Sequence, residues 1–355
     1  MHRFSKKVSM TVVKRLPKYY QYLSDLQLND IEKISSRELA SLMGLTASQI
    51  RQDLNSFGGY GQQGYGYNVG ELKEAIKEIL GLDSEYNCII IGGGNMATAI
   101  IGGLVKLADT QIRVVEPNVA KCTELITHFR IAATATLPTP FDAQEVVILA
   151  VKPQQLKEVC QQIAPRLNGA LVLSIAAGVG VATLSRWLEG HQRIVRVMSN
   201  TPALVGLGIS GLFAEDTLSL RDRTTATQIM DAVGSTQWVA DEKAMDAITA
   251  ISGSGPAYVF YLIEALRDAA LAQGFVEAEA RELALATFEG AVKLARVSGE
   301  DPAHLRANVT SKGGTTERAI LRFDQEGVKQ AIMAGVADCR ARSEELGQLL
   351  NQENN

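Results

Sequence analysis

The chain has 355 residues, is 46% hydrophobic and 21% charged, and carries a net charge of −4, values that fit two or three globular domains. Residues 1–82 hold 11 Lys and Arg against 8 Asp and Glu, while the remainder holds 24 against 31. Six basic residues and no acidic one fall within residues 1–24, a local excess suited to phosphate. Cys88, Cys122, Cys160 and Cys339 form no CxxC pair and show no zinc or disulfide spacing, so a reduced, cytoplasmic protein without a metal site is expected. Residues 1–7 do not read as a signal peptide. No stretch approaches the roughly 18 uncharged apolar residues of a membrane span.

The first pattern with mechanical content is Ser35-Ser36-Arg37-Glu38, a capping box that starts a helix with Leu39, Ala40 and Met43 facing inward. Gly44 ends it. Thr46-Ala47-Ser48-Gln49 repeats the pattern and starts a second helix, with Ile50 and Leu54 inward. Two short helices joined by a glycine turn read as a helix-turn-helix. The first residues of its second helix, Thr46, Ala47, Ser48, Gln49, Arg51 and Gln52, are then those that meet base edges. The glycine- and tyrosine-rich run from Phe57 to Tyr67 predicts a short hairpin, and Val69, Leu72, Ile76, Ile79 and Leu80 an amphipathic helix ended by Gly81.

Lys14–Tyr20, Ile34–Ala40, Gln49–Leu54 and the Phe57–Tyr67 run together resemble the winged-helix domain of the Rex redox-sensing repressors over residues 5–83. The resemblance implies binding of palindromic double-stranded DNA by a dimer. Its DNA-facing residues would be Thr46, Ser48, Gln49, Arg51, Gln52, Gln62, Gln63 and Tyr65. Gln52, Gln62 and Gln63 stand where many Rex proteins are basic, which implies a shallower salt dependence.

A different pattern begins at Cys88–Ile91, a short apolar strand. Gly92-x-Gly94-x-x-Ala97 then opens a helix, the fingerprint in which glycines let a pyrophosphate approach a helix N-terminus. Ile112–Val115 gives a second strand ending in Glu116, 24 residues after Gly92 and placed to meet a ribose. A carboxylate there repels a 2′-phosphate and favours NADH over NADPH, although Asn118 and Lys121 lie near enough to receive one. Further strands at Glu145–Val151, Ala170–Ile175 and Arg193–Val197 alternate with helices, which predicts a doubly wound parallel sheet. Pro256–Gln273, Glu277–Val297 and Gly327–Leu349 carry apolar residues at helical spacing.

Five later motifs separate this chain from a complete Rex protein: Ala150–Gln154, Ser174–Val179, Arg196–Ala203, Ser252–Tyr258 and Val309–Thr316. In this order they resemble pyrroline-5-carboxylate reductase from Tyr86 to Leu349. The resemblance implies hydride transfer from NAD(P)H to 1-pyrroline-5-carboxylate, giving L-proline, and an interlocked homodimer or larger homo-oligomer whose pocket lies across the dimer. It implies a cofactor seat of Ile91, Gly92, Gly94, Asn95, Met96, Ala97, Glu116, Ala150, Val151, Lys152, Pro153, Ala176, Ala177 and Gly178. It implies a substrate pocket of Glu242, Asn308, Gly313, Gly314, Thr315 and Thr316, with Thr316 beside the ring nitrogen as the catalytic group. Ser199 and Lys312 replace prolines common in that family. His128, His191 and His304 stand isolated.

The expected architecture is therefore multidomain α/β. A winged helix-turn-helix (1–83) is followed by a Rossmann-type domain (84–245), an all-α dimerisation domain (246–350) and a tail (351–355). The expected function is a reductase carrying a DNA-binding domain that makes it a redox- or proline-responsive regulator. The alternative is a non-catalytic NADH-sensing repressor built on a reductase scaffold.

Overall fold

The computed structural model describes residues 12, 15–29, 31–57, 61–62, 66–80, 86–107, 110–137 and 140–352. The N-terminal part contains helices α1 (Leu16–Leu28), α2 (Ser36–Met43), α3 (Ala47–Phe57) and α4 (Val69–Leu80). A small antiparallel sheet of β1 (Lys33–Ile34), β2 (Gly61–Gln62) and β3 (Gly66–Asn68), in the order β1-β3-β2, accompanies them.

The local signals act as expected. Ser35 and Glu38 close a capping box, and Gly44 ends α2 in the left-handed region at φ +66°. Thr46 and Gln49 cap α3 reciprocally, with Gln49 N–H donating to Thr46 Oγ1 at 3.2 Å and Thr46 N–H to Gln49 Oε1 at 3.3 Å. Leu16, Tyr19, Leu39, Ile50, Leu54, Leu72 and Ile76 form one buried cluster. Within it Asp53 accepts two hydrogen bonds from Arg15, at 2.8 and 2.6 Å, and one from Tyr19, at 2.9 Å. Burial, and then the bond to Asp53, raises the Tyr19 pKa, so its hydroxyl stays a donor. The predicted stop at Gly81 lies outside the described residues.

The second part is an eight-stranded sheet of β4 (Tyr86–Ile91), β5 (Thr110–Val115), β6 (Ala132–Thr134), β7 (Val146–Leu149), β8 (Leu171–Ser174), β9 (Ile194–Met198), β10 (Gly208–Phe213) and β11 (Gly234–Trp238). Its order is β11-β10-β9-β8-β7-β4-β5-β6. Cys88 and Ile90 face one core with helices α5 (Asn95–Leu104) and α9 (Leu220–Asp231). Ile89 and Ile91 face the other, with α7 (Pro153–Ile163) and α8 (Val181–Trp187). Both faces are covered, so the central strands read as continuous apolar runs. Each Ile or Leu buried in them contributes about 2 kcal/mol. Helix α6 (Val119–Phe129) links β5 to β6. Burial pushes the Cys88 and Cys160 thiols up to about 12, so neither is a nucleophile at neutral pH.

The parallel expectation needs one correction. β10 runs antiparallel to β9, and β11 runs parallel to β10, so these last two strands oppose the other six. Neither was read from the sequence. β10 holds two glycines, and β11 is Gly-Ser-Thr-Gln-Trp, which lacks an apolar run.

The third part is helical. A short helix α10 (Ala244–Ile248) and a π-turn (Thr249–Gly253) lead into α11 (Gly255–Ala272). Then follow α12 (Glu277–Ser298), α13 (Pro302–Asn308), α14 (Thr315–Gln325) and α15 (Val328–Gln352). Only Ala280 and Ala284 are buried in α12, and α11, α13 and α14 bury nothing. Phe260, Tyr261, Val297 and Met333 are 64%, 72%, 80% and 63% exposed. A lone chain thus leaves in water the apolar surface that should form this unit's core. No helix among the described residues is long and apolar enough to cross a membrane.

Candidate active site

The strand order puts one end of β4 at a topological switch point. The chain passes from β4 to β5 and β6 on one side, then returns to β7, β8 and β9 on the other. Ligands bind where the loops diverge, at the carboxyl ends of the strands. Gly92 sits there with φ +110°, and a Cβ would lie 2.6 Å from the Ala150 carbonyl oxygen. Only glycine fits both that conformation and that approach. Gly94 precedes α5 with no side chain capping it, so the helix N-terminus is open to an anion. Ala97 is fully buried, which seats the helix on the sheet. These features suit a dinucleotide pyrophosphate.

Glu116 is 8% exposed at the end of β5. Its Oε2 accepts from Gly93 N–H at 2.7 Å and its Oε1 from Asn118 N–H at 2.8 Å. The carboxylate is held against the glycine loop. Asn118 in turn caps α6, accepting from Lys121 N–H at 3.2 Å.

Ala150 N–H donates to the Ile91 carbonyl, and Val151 and Lys152 lead to Pro153 at the first position of α7. Ala176, Ala177 and Gly178 follow β8, with Gly178 at φ +80°. These two loops therefore lie at the same carboxyl end of the sheet as Gly92 and Glu116. Glu242 joins them by a different route. Its Oε1 accepts from Val181 N–H at 2.8 Å and from Arg196 at 3.2 Å. Asn200 bridges to the helical unit, donating to the Ser252 carbonyl at 2.9 Å and accepting from Ile209 N–H at 2.9 Å. The sequence reading missed Arg196 and Asn200 as working residues. A lone arginine in the apolar strand Ile-Val-Arg-Val-Met was the available signal, since a buried cation demands a carboxylate.

The second glycine loop lies in the helical unit. Gly313 has φ +75°, and its N–H donates to Glu317 Oε2 at 2.7 Å. Gly314 precedes α14 with no side-chain cap, so Thr315 and Thr316 begin the helix without capping it. Both threonines are exposed, as is Asn308 at the end of α13. Among the described residues, no hydrogen bond joins residues 310–316 to the cofactor-edge loops. Tyr258, in the preceding motif, has its pKa raised, chiefly by burial, and stays protonated.

In the N-terminal part, Ser48, Gln49, Arg51 and Gln52 share an exposed surface of α3. Thr46 and Gln49 are occupied with each other, and Arg51 donates to Ser36 Oγ at 3.1 Å. The Gln62 side chain, Gln63 and Tyr65 lie outside the described residues.

Three family models match separate stretches of the chain. The family described as "Pyrroline-5-carboxylate reductase dimerisation" matches residues 242–346. "NADP oxidoreductase coenzyme F420-dependent" matches 88–178, and "Putative DNA-binding protein N-terminus" matches 7–55. The pyrroline-5-carboxylate reductase of Haemophilus influenzae is 43% identical over 263 residues, 72% of this chain and 96% of that protein. The structure of a Coxiella burnetii pyrroline-5-carboxylate reductase aligns with a TM-score of 0.69 at 36% identity, over 74% of this chain and 99% of that one. The Plasmodium falciparum pyrroline carboxylate reductase with NADP bound gives 0.65 at 26%, over 74% and 98%. The Pseudomonas aeruginosa pyrroline-5-carboxylate reductase is 41% identical over 265 residues, 74% of this chain and 97% of that protein, and the chain therefore belongs to the pyrroline-5-carboxylate reductase family.

Proposed function

We propose that the chain reduces 1-pyrroline-5-carboxylate to L-proline with a hydride from NADH or NADPH, as a cytoplasmic homodimer or larger homo-oligomer, and that its N-terminal unit binds DNA. The observation that carries the enzyme reading is the 41% identity over 97% of a reductase's length.

The chemistry asks little of side chains. The ring nitrogen of the substrate protonates readily, so the electrophile is an iminium. Bound dihydronicotinamide supplies the hydride. The new C–H bond forms at the imine carbon as the C=N π pair passes to nitrogen. The chain's part is to hold the two reactants in register and keep them there.

In this reading Ile91, Gly92, Gly94, Asn95, Met96 and Ala97 hold the pyrophosphate. Ala150, Val151, Lys152, Pro153, Ala176, Ala177 and Gly178 border the nicotinamide. Glu116 is aimed at the adenosine ribose and favours NADH, because its carboxylate repels a 2′-phosphate. The loop of Gly313, Gly314 and Thr315 receives the substrate carboxylate, with the Thr315 N–H at the uncapped start of α14 as its donor, Glu242 and Asn308 line the pocket, and the Thr316 hydroxyl meets the ring nitrogen. The exposed apolar faces of α11 and α15 are covered by a second copy, which completes the pocket.

The division is 1–83 for a winged-helix DNA-binding domain, 84–245 for the dinucleotide domain, 246–350 for the dimerisation domain, and 351–355 for a tail. Two copies of α3 on one dimer suit palindromic duplex DNA. Such a protein links transcription to redox or proline status.

Oxidation of NADH and NADPH by the purified chain, with and without 1-pyrroline-5-carboxylate, tests the enzyme reading. We expect substrate-dependent turnover that is faster with NADH. Cofactor binding without turnover would overturn it in favour of a non-catalytic sensor. Fluorescence anisotropy with labelled duplex DNA tests the other half, and binding that weakens with salt is the expected result.

A further inference from the structure

The loop 175–180 leaves β8 at the cofactor edge and must turn into α8. The stretch that joins the sheet to the helical unit grips it. The Glu242 carboxylate lies against Gly180, where a Cβ would be 3.3 Å from Oε1 and 3.4 Å from Oε2. The same Oε1 takes the Val181 N–H and the Arg196 guanidinium. Arg196 is only 7% exposed, so Glu242 neutralises a cation that water cannot reach. Four residues later, Asp246 Oδ1 accepts from Ser343 Oγ on α15 at 2.7 Å. One helical turn further along α15 is Gly347, where a Cβ would lie 3.3 Å from the Gly178 carbonyl oxygen.

Residues 242–246 therefore hold the loop at its Gly180–Val181 end, and they hold the helix that presses on its Gly178. The Glu242 carboxylate, on a side chain 28% exposed, is bonded to this loop and to Arg196. We infer that Glu242 and Gly347 are positioning residues, which together set the conformation of loop 175–180 and so the seat for the nicotinamide end of the dinucleotide. The inference rests on the reading that this loop faces the cofactor.

Calorimetric titration of NADH into the full-length oligomer tests it without turnover. Glu242→Ala removes both bonds at once, and we expect the dissociation constant to rise about tenfold. Glu242→Gln keeps an acceptor for Val181 and should recover most of the loss. Glu242→Ala also strands Arg196 and can unfold the protein, so Gly347→Ala is the second arm. It removes no hydrogen bond and improves helix propensity, so the thermal midpoint should hold or rise. The added Cβ displaces the Gly178 carbonyl by a few tenths of an ångström, and NADH should bind several-fold more weakly. Unchanged NADH affinity in Gly347→Ala, or equal losses in Glu242→Ala and Glu242→Gln, would overturn the inference. Should the wild type bind NADH but fail to turn over, the reductase reading falls while this test stands.

Discussion

The two glycine loops of this chain solve the same problem in different surroundings. Gly92–Gly94 opens α5 and Gly313–Gly314 opens α14, and neither helix has a side-chain cap. The first loop is finished within one chain. Ala150 closes against it, the Glu116 carboxylate is bonded to it, and Ala97 is buried behind it. At the second loop, a Cβ on Gly313 would meet nothing within 4 Å, and Thr315 and Thr316 stand in solvent. A preorganised loop binds without paying for order at the moment of binding. The exposed loop has no such support within one chain, and the apolar helices of its unit leave a surface on which the proposed second copy would pack.

The largest expected effect that would test this contrast is Gly92→Ala. The new Cβ has no room beside Ala150, and the backbone conformation is hostile to it. We expect NADH affinity to fall by about a hundredfold and stability by about 2–3 kcal/mol, read by calorimetry and thermal melting. Gly313→Ala meets only the backbone penalty, about 1–2 kcal/mol. Its KM for 1-pyrroline-5-carboxylate should rise about tenfold while its NADH affinity stays unchanged. Equal damage to both ligands would erase the distinction between the loops. Glu116→Gln should shift the kcat/KM ratio from NADH towards NADPH by about tenfold, since it removes one charge near the 2′ position.

The smallest effect is one of pH and lies far from both loops. Burial lowers the His191 pKa below its ordinary 6.5. The unfolded chain therefore binds the extra proton first. The stability from a neutral His191 is full above pH 6.5 and is lost as pH falls below it towards the folded value. The thermal midpoint should fall on the acid side, less steeply in His191→Gln.

Local signals were legible where both partners lie within a few residues. The capping pairs Ser35–Glu38 and Thr46–Gln49, the Gly44 stop and the Gly92–Ala97 fingerprint all emerged where they were read. Apolar runs gave the central strands because both sheet faces are covered. What escaped depends on distant partners. Glu242 meets Val181 across 61 positions and Arg196 across 46, and no local pattern encodes either. β10 escaped because two glycines interrupt its apolar residues, and β11, at the sheet edge, because it is polar. The exposed face of α3 was legible, but its Gln49 is committed to the cap.

A chain with a finished cofactor loop and an unfinished substrate loop should work only in pairs. We would co-express Gly92→Ala with a second chain carrying Gly313→Ala and Thr316→Ala, and assay NADH oxidation with 1-pyrroline-5-carboxylate. Each variant alone should be nearly inactive. If the pocket joins one chain's cofactor loop to its partner's substrate loop, the mixture should regain about a quarter of wild-type activity, because half the dimers are mixed and each holds one intact site. A mixture as inactive as its components would contradict the account.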